Sequence, residues 1–134
     1  MRFPFRVPHG TLVLGLALAV STVAAAGCSS GGTATLPTPR PVTGTLKRAD
    51  GSPVGGVTVM LQPTSTGHMT ALEVDATGAF SGEAIGGPYA WFVAKSAKAQ
   101  NADAALAKVP EDFQRGTLDR KVTVGSGALE LTIP

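Results

Sequence analysis

The sequence predicts an all-β fold: a single antiparallel β-sandwich of about seven short strands, set behind a secretory leader and a flexible spacer. Three observations carry that prediction. Apolar and polar residues alternate with period two in several short runs, most clearly Val57, Val59 and Leu61 against Thr58, Met60 and Gln62. Turn-forming clusters punctuate those runs at Asp50-Gly51-Ser52-Pro53, Gly86-Gly87-Pro88 and Gly125-Ser126-Gly127. No long helical heptad pattern follows the leader, where Gly, Pro, Thr and Val dominate. A small barrel is the other arrangement open to such strands.

The leader comes first. Arg2 and Arg6 make a positive start, Leu12 to Ala26 is an uncharged apolar run, and small residues precede Cys28. The run is shorter than the ~20 residues a membrane-spanning helix needs. Its end, Ala25-Ala26-Gly27-Cys28, resembles the lipobox of bacterial lipoproteins, with Ala25 standing where Leu is usual. That resemblance implies a signal peptide over 1–27, a lipid-modified Cys28 and a membrane as partner. Ala24 and Ala26 also suit ordinary signal-peptidase cleavage. Cys28 is the only cysteine, so the chain offers no internal disulfide. A thioether-linked lipid also removes an exposed thiol from an oxidising compartment. Stable anchoring takes more than one acyl chain, and a lipoprotein cysteine carries two or three. Ser29 and Ser30 follow where an inner-membrane retention signal would place Asp. By the same resemblance this directs the protein to the outer membrane of the cell envelope.

Next, residues 28–41 form a spacer: Gly, Ser and Thr, then Leu36-Pro37-Thr38-Pro39-Arg40-Pro41. Its first part is flexible, and its Pro-rich end is extended. The folded domain is then expected over 42–134. Strands are expected at Val42 to Lys47, Val57 to Gln62, Met69 to Asp75, a short one through Phe80, Tyr89 to Ala94, Lys121 to Val124, and Leu129 to Ile133. Gly55-Gly56 marks a bulge or loop. Ser96 to Leu118 breaks the pattern. Ala97 to Lys108 reads either as a short helix with an Ala102, Ala105, Leu106, Val109 stripe or as a long ordered loop, and Pro110 closes it.

Charge narrows the partners. The chain has 11 Lys and Arg against 9 Asp and Glu. Arg2 and Arg6 leave with the leader, so the remainder balances and carries no basic stripe. Nucleic acid is not an expected partner.

The stretch Val42-Thr43-Gly44-Thr45-Leu46, then Asp50-Gly51-Ser52-Pro53-Val54-Gly55-Gly56-Val57-Thr58-Val59, resembles the opening of carboxypeptidase regulatory-like domains. Those domains are transthyretin-like β-sandwiches. Asp75-Ala76-Thr77-Gly78-Ala79-Phe80 resembles their acidic loop and Gly-x-Phe signature, with Thr77 in place of a second Asp. Gly87-Pro88-Tyr89-Ala90-Trp91-Phe92 resembles their Pro-Gly-x-Tyr strand, with the first two residues exchanged. Val109-Pro110-Glu111-Asp112-Phe113 and the last two strands resemble the tail of small lipoproteins of planctomycete-type bacteria, which pair a lipobox with one such domain. The resemblance implies a fold and a place, and no reaction.

Candidate chemistry is sparse. His68 is the only histidine after the leader, in a loop composition without a nucleophile-elbow motif, so no catalytic residue is assigned. One His and one lipidated Cys cannot make a zinc site. Asp75, Glu73 and Glu83 fall short of a calcium cage. No metal or other cofactor is expected. Lys47 has no Asn on the last strand with which to form an internal crosslink. Tyr89 and Trp91 share one strand face and are either core or a stacking platform for a ligand.

The expected role is therefore a non-catalytic structural or protein-interaction module at the cell envelope. Its edge strands and the Ser96 to Leu118 segment would make the contacts. A carbohydrate- or peptide-binding module is the alternative, with an envelope protein or polysaccharide as partner.

Overall fold

The computed structural model describes residues 37–125 and 127–134. The leader and Cys28 lie outside the described residues, as does most of the spacer. Among the described residues there are seven strands: β1 (Pro39–Arg48), β2 (Val57–Pro63), β3 (Thr70–Glu73), β4 (Ala79–Ile85), β5 (Gly87–Lys95), β6 (Lys121–Val124) and β7 (Leu129–Ile133). They form two sheets, one ordered β4-β1-β7 and the other β3-β2-β5-β6. The fold is all-β as expected, and two separate sheets stand in place of the barrel alternative.

Alternation fixes which side of each strand is buried. Val57, Val59 and Leu61 on β2 stand opposite Lys95, Val93 and Trp91 on β5. All of these except Lys95 are buried. In the other sheet Val42 and Leu46 of β1, Phe80 and Ala84 of β4, and Leu129, Leu131 and Ile133 of β7 are buried. Both sets belong to one hydrophobic cluster, so the two sheets share a core. Gly44 is needed there. Phe80 is its partner across the β1–β4 ladder, and the ring lies where a Cβ on Gly44 would project.

Two expectations need correction. The wholly antiparallel arrangement fails at one ladder, because β1 and β7 pair in parallel, from Gly44↔Leu129 to Arg48↔Ile133. The reason is topological. Val124, the last residue of β6, pairs with Gly87, so β6 finishes at the end of the domain where β1 starts. A short connection then delivers β7 beside β1 in the same direction.

The second correction concerns the spacer boundary. β1 begins at Pro39, so Pro39, Arg40 and Pro41 are part of the sheet, opposite Ile85, Ala84 and Glu83. Prolines are tolerated because β7 joins β1 only from Gly44 onward. Residues 39–43 are thus an edge, where a missing N–H costs no ladder bond.

Gly86-Gly87-Pro88 is not a hairpin turn. β4 and β5 lie in different sheets, and Gly86 is the corner between them. Gly87 sits at φ 145°. The segment after β5 combines both sequence readings: a short helix α1 (Ala102–Leu106) and a 3-10 turn (Glu111–Gln114) inside an ordered excursion. Ala102 and Val109 are buried, and Ala105 and Leu106 pack against the core, as the stripe predicts.

Candidate functional site

Strand direction sorts the loops into two groups. The β2–β3 connection, the Gly86 corner and the β6–β7 connection gather where the chain comes in at Pro37. The turns at Asp50 and Asp75 and the start of the excursion gather at the opposite end.

Both acidic turns are built the same way. Asp50 Oδ1 accepts from the backbone N–H of Ser52 at 2.8 Å and from its hydroxyl at 2.6 Å. Asp75 Oδ1 accepts from the N–H of Thr77 at 2.8 Å, its hydroxyl at 2.6 Å and the N–H of Ala79 at 3.1 Å. The Thr77 hydroxyl, then the Ala79 and Thr77 N–H groups, hold the Asp75 carboxyl below its ordinary range. The Ser52 hydroxyl and N–H do the same for Asp50. Gly51 at φ 85° and Gly78 at φ 80° supply the left-handed residue each turn requires. Leu46 stitches the turns together: its N–H donates to the Gly78 carbonyl at 2.7 Å, and its carbonyl accepts from Val54 at 3.0 Å. Asp75 is thus a turn-former.

Beside the Asp75 turn lies a groove of about 620 Å³. Gly55 and Gly56 form one wall and the Ser96–Asn101 loop the other. Ser96 positions that loop. Its hydroxyl donates to Glu73 Oε2 at 2.5 Å and accepts from the N–H groups of Lys98 at 3.1 Å and Ala99 at 3.0 Å. The second oxygen of Glu73 accepts from the Thr58 hydroxyl at 3.0 Å. Glu73 is therefore occupied in holding the wall. Lys98, Gln100 and Asn101 are exposed along it and present an ammonium and two amides. Gly55 and Gly56 bring no side chain to the lining, which they share with Glu73, Val74, Asp75 and Ala76. Such a groove can accept an extended polar chain through backbone and amide hydrogen bonds.

The sequence-nominated aromatics lie elsewhere. Tyr89 is 4% exposed and Trp91 6%. The Tyr89 hydroxyl donates to the Ile85 carbonyl at 2.8 Å. Trp91 packs against Phe113, with ring centroids 5.7 Å apart. Neither ring offers a free face for stacking, so the pair reads as core. His68 is exposed beside a smaller recess of about 330 Å³ at the Pro37 end. Lys47 pairs with Thr132 in the β1–β7 ladder. Among the described residues no three His, Cys, Asp or Glu side chains cluster as metal ligands. No helix among them is long and apolar enough to cross a membrane.

The sequence reading named the Ser96 to Leu118 segment as a contact surface but missed the groove. Gly55-Gly56 and Asp75 were visible as separate loop signals. Their meeting with Ser96 depends on β2 lying between β3 and β5, which no local pattern states. Comparison with protein-family models, with curated proteins and with solved structures finds no match.

Proposed function

We propose that this chain is a bacterial lipoprotein, held at the outer membrane of the cell envelope by lipid on Cys28. Its folded part is read as a transthyretin-like β-sandwich acting as a non-catalytic interaction module. The anchor rests on the run Ala25-Ala26-Gly27-Cys28, and the observation that carries the interaction role is the groove at the end of the domain opposite Pro37. The chain comes in at Pro37, and β1, ten residues long, runs from there to the Asp50 and Asp75 turns. A strand of that length spans about 30 Å. The groove therefore lies at the opposite end of the folded domain from Pro37.

The binding alternative now rests on the same groove rather than on Tyr89 and Trp91. The amides of Gln100 and Asn101 favour a peptide or polysaccharide chain as the occupant.

A photo-reactive residue at position 100, introduced in cells, tests the reading. It should capture one defined envelope partner, and Cys28→Ala should leave an uncut, unlipidated precursor that captures none. Capture unchanged in Cys28→Ala would remove the tether from the mechanism. Hydrolase activity that disappears in His68→Ala would replace the non-catalytic reading.

A further inference from the structure

The Pro37 end of the domain has a chemistry of its own. The β2–β3 connection reads Thr64-Ser65-Thr66-Gly67-His68-Met69, the corner Ile85-Gly86-Gly87-Pro88, and the β6–β7 connection Gly125 to Ala128. None of these segments contains Asp, Glu, Lys or Arg. The opposite end carries Arg48, Asp50, Asp75, Lys95, Lys98, Asp103 and Lys108. Met69 is 55% exposed, and Pro88 is exposed beside the recess that Pro37, Pro63 and His68 also line. The nearest cation is Arg40, which lines a shallow depression with Pro37, Thr38 and Gly86. Glu83 and Lys121 stand one step farther in, opposite Pro41 and Ala90.

We infer that this uncharged end rests on the lipid bilayer, with Met69 and Pro88 at the headgroup level and Arg40 toward lipid phosphate. The inference rests on the lipoprotein reading and adds an orientation to it. Cys28 lies nine residues before Pro37 in the chain, and a chain of that length reaches about 30 Å at most. A lipid there keeps this end within reach of the surface at all times. Loops free of Asp, Glu, Lys and Arg bring no carboxylate, ammonium or guanidinium to desolvate on approach. An exposed Met and Pro gain by burial, and one Arg is attracted to anionic headgroups. The charged opposite end has the reverse preference for bulk water.

Hydrogen exchange on vesicles tests this. The protein is recovered from cells and the mass of its Cys28 peptide is measured, which decides the lipoprotein reading separately. If lipid is present, the protein is reconstituted directly into phosphatidylethanolamine–phosphatidylglycerol vesicles. If the thiol is free, it is coupled to a maleimide-headgroup lipid in the same vesicles, so the orientation is tested either way. Amides of 64–69 and 86–87 should exchange severalfold more slowly on vesicles than in detergent-free solution without lipid or, for the lipidated form, in detergent micelles. Amides of 76–79 and 98–101 should be unchanged. Equal exchange at the two ends in both conditions, or slowing at the groove instead, would overturn the inference.

Discussion

The hydroxyl of Tyr89 donates to the carbonyl of Ile85 across the corner where the chain leaves one sheet for the other, at 2.8 Å. This is the arrangement of a tyrosine corner. One side chain both fills the core and ties down the backbone that precedes it. Tyr89→Phe keeps the ring and removes the bond, leaving the Ile85 carbonyl without its partner. The expected loss is about 1–2 kcal/mol in urea unfolding. An unchanged midpoint would mean that water replaces the hydroxyl.

The Asp75 turn makes a prediction about acid. Its carboxyl titrates below the ordinary value of about 3.8, chiefly because the Thr77 hydroxyl bonds the ionised form. A lowered folded value means that the stabilisation is complete above the unfolded pKa and disappears as pH falls through the folded one. Turn stability should therefore decline only below pH ~4. Thr77→Ala should raise the Asp75 value toward the ordinary range in a carbon-13 carboxyl titration. Asp50, bonded by Ser52, should not move.

Ser96 should matter more than the exposed residues beside it. Ser96→Ala leaves Glu73 Oε2 and the N–H groups of Lys98 and Ala99 without their partner. A cost of about 1–3 kcal/mol is expected in chemical unfolding, with faster amide exchange over 97–101. Lys98→Ala, by contrast, should stay within about 0.5 kcal/mol.

Arg120 holds the far half of the excursion. Its guanidinium donates to the carbonyls of Asp112 at 2.8 Å and Arg115 at 2.7 Å, and lies 4.7 Å from the Phe113 ring centroid. A lysine cannot span two carbonyls and cover a ring with the same planar group. Arg120→Lys should ease local opening by about 1–2 kcal/mol, roughly tenfold. The check is the rate of tryptic cleavage after Arg115 in the folded protein.

Legibility in the sequence followed the range of the interaction. Val57, Val59 and Leu61 announced a half-buried strand because a pleated chain repeats every two residues. Asp50 and Gly51 announced a turn because the bonds that make it reach only to Ser52. Pro39 and Pro41 misled, since proline signals a broken ladder unless the edge it faces is vacant. That vacancy is set by β7, whose pairing starts at Gly44, some eighty residues later in the chain. The parallel β1–β7 ladder and the groove at Glu73 and Ser96 were hidden for the same reason: each joins segments whose meeting is decided by the order of strands.

The β1–β7 ladder also has a mechanical side. β1 is the strand into which the chain feeds from Cys28, and it lies between β4 and β7. If a partner grips the far end, any pull runs lengthwise down β1. Its bonds to β4 over 39–45 and to β7 over 44–48 are then loaded in shear along the strand, not peeled apart one by one. The parallel last strand takes over from Gly44 the ladder that β4 carries up to Thr45, an arrangement that would suit a domain loaded through its own N-terminus.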